Sequence, residues 1–200
     1  MFAKQSHSYT PAEYLALEEK AEYKSEYFQG KIVAMAGASL NHSRIVRNLS
    51  ALFNQAFAAK PCEVFTTDVR LWIEKRNFFT YPDVIVVCGE PQFFKDRTDT
   101  ITNPQIIIEV LSKSTAEYDR SDKFHAYWTL DSFAEYVLVD QYRMQVEYFR
   151  RVSGKQWELQ VFTRLDEFLS LKSIEVKLPL EQIYQRVNWE EVSQDSAAGL

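Results

Sequence analysis

The sequence predicts an α/β (α+β) fold in which a mixed central sheet is flanked by helices, with additional C-terminal antiparallel strands. Two apolar runs, over residues 81–88 and 105–111, are rich in β-branched residues and typical of strands buried on both faces. An amphipathic helix is predicted over residues 40–59. A further helix precedes the strand Glu135–Asp140, so this strand and 105–111 should be parallel and joined by a crossover.

Composition indicates one globular domain. The 200 residues, 46% hydrophobic and 26% charged, suffice for a full-sized core, and we predict a single domain over residues 1–187 with a disordered tail over 188–200. The net charge of −5 argues against an extended nucleic-acid-binding surface, because affinity for phosphates comes largely from Lys and Arg. Any contact with DNA should be local, metal-assisted or spread over a dimer.

The two cysteines and the lack of long apolar segments bear on location. Cys62 and Cys88 have neither a zinc spacing nor the number of a disulfide framework, so both are predicted to be buried thiols of a reducing compartment. The N-terminus lacks a signal-peptide core, and no run of about 18 apolar residues occurs. We expect a soluble, cytoplasmic protein with no membrane partner.

The N-terminal part is predicted to form a helix and a hairpin before the long amphipathic helix. Thr10 and Glu13 make a capping box, with Pro11 at the first helical position. Glu26 lies on the hairpin, where the alternative to a site residue is an exposed acid on an edge strand. His42 begins the apolar stripe of the amphipathic helix and should point inward, although such a histidine more often caps or packs than binds a ligand.

The middle of the chain is predicted to form an antiparallel meander, a long surface loop over residues 89–104, and a helix. A second capping box, at Ser114 and Glu117, should start this helix. Lys123 and Tyr127 then lie on one side of it, and the alternative to a functional role for the lysine is snorkelling to solvent. Beyond residue 140 the pattern predicts a hairpin over 144–163, an edge strand over 174–178 and a short helix over 179–186.

One carboxylate lies in each of the two central strands. Because strand side chains alternate, Asp83 shares a face with Ile85, and Glu109 shares a face with Leu111. An unpaired ionised carboxylate in such surroundings costs several kcal/mol, so each acid should be protonated, paired with a cation or bound to a metal. Two such acids on neighbouring strands predict one shared cation.

The order of these features resembles a known superfamily. The matching segments are residues 27–33, His42, residues 81–86, residues 104–112, Asp122 with Lys123 and Tyr127, and Glu135–Asp140. Together they resemble the PD-(D/E)xK nucleases and, within them, the Uma-two family of putative restriction endonucleases. The resemblance implies a restriction-endonuclease-like domain that acts as a metal-dependent phosphodiesterase on DNA.

The resemblance also implies a set of site residues. Asp83, Glu109 and the carbonyl of Val110 would hold Mg²⁺ or Mn²⁺, and Glu26 resembles the extra acid that many members place beside the metal. With Asp83 and Glu109, a lysine would complete the catalytic group.

The sequence departs from the superfamily pattern at the lysine. The third position of the Glu109 motif should be lysine and is Leu111, so the charge must come from elsewhere. Lys123 resembles the migrated lysine of this family, and Lys113 is the alternative. His42 and Tyr127 are expected to support the ligands.

Three hypotheses stay open from the sequence. The first is a Mg²⁺-dependent DNA endonuclease. The second is a catalytically inactive DNA-binding or dimeric interaction module on the same fold, which the missing lysine favours. The third makes the acids a structural pair with internal lysines. A homodimer is expected for the first, because cutting both strands needs two centres.

Overall fold

A computed structural model describes residues 7–189, and the elements within this range follow a mixed α+β order. The helices are α1 (Pro11–Glu18), α2 (Leu40–Ala56), α3 (Ala116–Tyr118), α4 (Phe124–Tyr127) and α5 (Leu180–Ile183), with a 3₁₀ turn at Glu74–Arg76 and a π-helical turn at Asp119–Lys123. The strands are β1 (Ser25–Phe28), β2 (Lys31–Ala34), β3 (Cys62–Thr66), β4 (Arg70–Ile73), β5 (Phe78–Thr80), β6 (Val84–Cys88), β7 (Thr100–Ile101), β8 (Ile106–Leu111), β9 (Glu135–Asp140), β10 (Val146–Ser153), β11 (Gln156–Phe162), β12 (Phe168–Leu171) and β13 (Val176–Pro179).

The larger sheet has the order β11-β10-β9-β8-β6-β3 and contains both central strands. β8 and β9 are parallel, with Ile108 opposite Val137, whereas the other neighbours are antiparallel. The helical segment between β8 and β9 makes the predicted crossover unit. The mixed sheet and the additional C-terminal antiparallel strands, including the pair β12 and β13, are therefore confirmed.

The smaller sheet shows where the predicted meander is wrong. Its order is β2-β1-β5-β4-β7, so β4 pairs with β5, while β3 pairs with β6 in the larger sheet. Between β3 and β6 the chain therefore changes sheets twice, once before β4 and once after β5. The predicted loop over residues 89–104 also holds the buried strand β7, which pairs in parallel with β4.

The two faces of the larger sheet bury different partners. α2 covers one face, where Ile45, Leu49 and Phe53 are fully buried in one core cluster with Val84 and other residues of β6 and β8. Each such side chain contributes about 1.5–3 kcal/mol relative to exposure. The other face packs against α4 and part of the smaller sheet. By strand alternation, Asp83 and Glu109 lie on this second face.

Two predicted helix starts have different outcomes. The capping box of Thr10 and Glu13 is formed as expected, with Pro11 in the first turn. The second box is wrong, because the helix begins at Ala116 and Ser112 Oγ accepts the N–H of Thr115 instead. The π-helical turn that follows, Asp119–Lys123, was not predicted.

The cysteines differ from their prediction. Cys62 and Cys88 are joined by a disulfide, so they are not free thiols. The physical reason is the register of β3 against β6, which places these two residues directly opposite each other. Pairing of strands 26 residues apart in sequence decides this, and no local pattern reveals it.

The C-terminal segment is described in part. Residues 190–200 of the predicted tail lie outside the described residues. Of the two that are described, Asn188 donates its N–H to Asn41 Oδ1 at 3.1 Å, and Trp189 packs against the core cluster below α2. None of the helices between residues 7 and 189 is both long and apolar enough to cross a bilayer.

Candidate active site

Each of the two central carboxylates accepts a hydrogen bond from a backbone N–H of the segment that carries the other. The backbone N–H of Asp83 donates to Glu109 Oε2 at 3.3 Å. In return, the N–H of Val110 donates to Asp83 Oδ2 at 2.7 Å. Asp83 immediately precedes β6 and Glu109 lies in β8, so the pairing of these adjacent strands brings both acids to the same place.

A lysine ammonium is enclosed by carboxylates next to this pair. Lys123 Nζ donates to Glu109 Oε1 at 3.1 Å, and it lies 3.4 Å from Glu26 Oε1 and 3.3 Å from Asp119 Oδ1. The Lys123 side chain is only 7% exposed. The snorkelling alternative is therefore wrong, because the amine points inward and not to solvent.

Glu26 is not an exposed edge acid. Its strand β1 lies between β2 and β5, and its side chain is 12% exposed. It accepts hydrogen bonds from the hydroxyls of Thr80 and Tyr118. The smaller sheet thus contributes an acid to the site that the larger sheet and the helix assemble.

Of the three other residues predicted for the site, two contact the central acids and the third lies elsewhere. His42 Nε2 lies 3.0 Å from Asp83 Oδ1, and the Tyr127 hydroxyl donates to Glu109 Oε1 at 2.6 Å. Lys113 is exposed, with its ammonium 5.5 Å above the ring centroid of Tyr142. His42 reaches Asp83 because Ser39 caps α2 by accepting the N–H of His42, which fixes the first turn.

Asp119 is a site residue that the sequence reasoning missed. It is 2% exposed, and its Oδ1 faces Lys123 Nζ without forming a well-aligned hydrogen bond. The signal that could have found it is its spacing, four residues before Lys123 on the same helical segment.

The pKa values of Glu109, Asp119 and Lys123 are shifted because these groups are buried and several acids share the single ammonium of Lys123. Burial raises the pKa of Glu109 to about 8, Lys123 opposes this, and Asp119 and Asp83 add to it. Burial also raises the pKa of Asp119. Burial acts to lower the pKa of Lys123, but Glu109, Glu26 and Asp119 together hold it well above its ordinary value. The site is therefore acid-rich and favours a further cation.

The donor chemistry fits a hard divalent ion. Within residues 7–189, no three His, Cys, Asp or Glu side chains stand together as a ready-made metal cage. Mg²⁺ is usually held by one or two carboxylates while it keeps several waters, so the paired acids Asp83 and Glu109 suit it without such a cage. The carbonyl of Val110 and the carboxylate of Glu26 are further oxygen donors of the same chemical type.

Paired Asp and Glu side chains on adjacent strands of a mixed sheet, with a lysine from the next helix, define a nuclease-like α+β architecture. The family model described as Uma2, putative restriction endonuclease, matches residues 11–181. This chain belongs to that family, as its ordered motifs predicted.

Two proteins are similar to this chain in sequence, and one solved structure is similar to it in fold. The chain is 44% identical over 150 residues to uncharacterized protein sll1609 of Synechocystis sp., covering 75% of this chain and 85% of that protein. It is 36% identical over 178 residues to uncharacterized protein slr1290 of the same organism, covering 88% and 91%. The fold is shared with the crystal structure of a putative nuclease belonging to DUF820 from Anabaena variabilis, with a TM-score of 0.73 and 20% identity over 90% of this chain and 99% of that one.

Proposed function

We propose that this protein is a Mg²⁺- or Mn²⁺-dependent DNA endonuclease. The observation that carries the proposal is the reciprocal backbone hydrogen bonding of Asp83 and Glu109 beside the buried ammonium of Lys123. This arrangement offers two oxygen ligands for one ion and a fixed positive charge within one small volume. Membership of a family described as putative restriction endonuclease supports a nucleic-acid substrate.

Each residue has a defined role in this proposal. Asp83, Glu109, the Val110 carbonyl and Glu26 would hold the ion, which when bound would polarise the phosphate and lower the pKa of a water. Lys123, with its raised pKa, keeps its proton and offsets the charge that develops on the phosphoryl oxygens.

The neighbouring side chains fix the ligands. His42 contacts Asp83, and Tyr127 donates to Glu109, so each carboxylate is oriented before substrate arrives. Lys113 stays the alternative cation, and its exposed position above Tyr142 favours Lys123.

The remaining parts of the proposal concern the whole protein. We propose that residues 1–187 act as one nuclease domain, that a homodimer supplies two centres for cutting both strands, and that the protein works in the cytoplasm. The single domain and the homodimer follow from the sequence and the family resemblance, whereas the disulfide of Cys62 and Cys88 removes the free-thiol argument for the cytoplasm. Light scattering of the purified protein checks the oligomeric state.

The test of catalysis is plasmid nicking with Mg²⁺ or Mn²⁺. Asp83→Asn removes a ligand charge with little change of shape, and we expect nicking to fall by about 100-fold or more. Asp131→Asn is the matched control, because Asp131 is 93% exposed and should leave nicking unchanged. Unaltered cutting by the Asp83 variant would reject the assignment.

The alternative is a catalytically inactive DNA-binding or dimeric interaction module, which the buried Leu111 at the usual lysine position favours. Calorimetric titration with Mn²⁺ separates the two. The nuclease proposal expects a binding signal that Glu109→Gln abolishes and that Glu117→Gln, at an exposed position on α3, retains. A protein without any Mn²⁺ signal would be the inactive module.

A further inference from the structure

We infer that a groove along α2 binds the sugar–phosphate backbone of the nucleic-acid strand that enters the site. The inference deepens the proposed nuclease function and rests on it. Neither the family description nor the similar proteins assign this surface.

The groove is an open cleft of about 700 Å³ between α2 and the C-terminal end of β3 with the residue that follows it. His42 lines one end of it, and the same imidazole lies 3.0 Å from Asp83 Oδ1. A strand lying in the groove would therefore lead directly to the paired acids.

The walls of the groove present hydrogen-bond donors. Ser43, Arg47, Ser50 and Asn54 line one wall, at spacings of four, three and four residues that place them on one face of α2. Hydroxyl, amide and guanidinium groups of this kind make most of the contacts that proteins form with phosphate and sugar oxygens.

The opposite wall is held in a fixed conformation. Thr66 and Thr67 line it, and Thr67 has a φ of 41°, a left-handed conformation that is rare for a β-branched residue. The Thr67 N–H donates to the carbonyl of Asp83 at 3.2 Å, and the Thr67 carbonyl accepts from Lys24 Nζ at 2.9 Å. The first bond attaches the wall to the backbone of a proposed metal ligand, and the second attaches it to Lys24.

The charge of the groove differs from that of the protein. Of the described residues that line it, none is Asp or Glu, although the whole chain carries a net charge of −5. Arg47 is exposed and contributes the positive charge of the α2 wall. The neighbouring Asp68 is paired with Lys24, which offsets its charge near the rim. A polyanion is therefore accepted here beside an acid-rich site that would otherwise repel it.

The dimensions fit a short length of one strand. Ser43 and Asn54 are eleven residues apart on α2, or about 16 Å along the helix axis. That length spans about five phosphates at the axial spacing of one strand in duplex DNA. The groove has one guanidinium among several neutral donors. We therefore expect it to contribute more to the position of the strand than to the affinity.

The experiment is fluorescence anisotropy with labelled oligonucleotides, single-stranded and duplex, in EDTA over a series of NaCl concentrations. Arg47→Ala and Asn54→Asp should each weaken binding several-fold. Arg47→Ala should also lower the slope of log affinity against log salt by about 0.7 to 0.9, because one phosphate contact is lost. Arg150→Ala is the matched control, since β10 lies four strands away from β3 in the larger sheet.

The outcomes separate this inference from the proposed catalysis. Circular dichroism first shows whether the two groove variants are folded. If folded variants keep the wild-type affinity and salt slope, the inference that the groove binds nucleic acid is wrong. A protein that binds no oligonucleotide would overturn it as well. If the groove variants lose affinity while wild-type protein never nicks plasmid, the groove stands and the nuclease proposal fails.

Discussion

Two clusters in this molecule each pair cations with carboxylates, but their charge balance differs. The surface cluster joins two arginines to two acids: Arg70, Arg97, Asp99 and Glu19. Of these four residues, Arg70 is buried and the other three reach solvent. In the candidate site, the single ammonium of Lys123 faces the carboxylates of Glu26, Glu109 and Asp119, with Asp83 beside them. The first cluster is balanced in charge, whereas the second has more acid than cation.

The pKa directions record this difference. Hydrogen bonding to Arg97 holds the pKa of Asp99 well below its ordinary value, because the charged form is favoured. Burial raises the pKa of Glu109 to about 8, because the charged form is disfavoured. A cluster with balanced charge stabilises the fold, whereas an acid-rich cluster lowers stability unless it binds a cation. Such a loss of stability is typical of functional sites.

The largest expected effect comes from removing the buried cation of the candidate site, Lys123. Lys123→Met should lower the free energy of unfolding by about 3–5 kcal/mol, because it leaves buried carboxylates without their partner. Lys75→Met is the matched control, since Lys75 is 60% exposed and pairs with an exposed acid. Urea denaturation measures both, and a Lys123 variant as stable as the control would contradict the comparison.

The second effect, which is intermediate in size over any one pH unit, concerns the pH dependence of stability. With a pKa of about 8 in the folded state against an ordinary 4.5, folded Glu109 keeps a proton that the unfolded chain loses. Stability should therefore fall as pH rises between these values, with a contribution of up to about 1.4 kcal/mol per pH unit. Glu109→Gln should remove this contribution. In EDTA, the stability of the variant relative to wild type should therefore increase as pH rises.

The control for the pH experiment is Glu117→Gln at its exposed position. Its stability should run parallel to that of wild type across the same range. A Glu109 variant that also runs parallel to wild type would show that the carboxyl titrates normally.

The smallest expected effect belongs to the surface cluster. Asp99→Asn should cost about 0.5–1 kcal/mol at neutral pH, because the Asp99 side chain is 41% exposed and solvent screens its pairs. Since its pKa is lowered, this stabilisation is present above the ordinary pKa and is lost as pH falls below it. Thermal unfolding at neutral and acid pH measures the change, and a cost as large as that of Lys123→Met would remove the contrast between the clusters.

The fold was predictable wherever local pattern decides it. Period, capping residues and turn residues indicated most helices and strands, including the Thr10 cap and the β1–β2 hairpin. The assignment of strands to two sheets was not predictable, since it depends on pairing between segments distant in sequence. The Cys62–Cys88 disulfide was missed for the same reason, because it depends on the register of β3 against β6.

For the site, sequence indicated which acids lie in apolar strands but not what surrounds them. Asp83 and Glu109 were selected because a lone carboxylate in a buried strand needs a partner, and Lys123 was selected by family resemblance. Asp119 carried no such signal, since a polar residue on a helix is ordinarily solvated. Its burial follows from the packing of the whole segment. The roles of Asp83, Glu109 and Lys123 stay predictions until they are tested.

The π-helical turn at Asp119–Lys123 has one more consequence. Successive residues of an α-helix are rotated by about 100°, so taking one residue out of this wide turn would swing everything after it by that angle. The shortened chain could keep its sheets and every acid while aiming a different side chain at the cluster. A one-residue insertion or deletion here would therefore turn a different side chain toward the carboxylates of the site. The protein would then lose the arrangement of the site while keeping its fold.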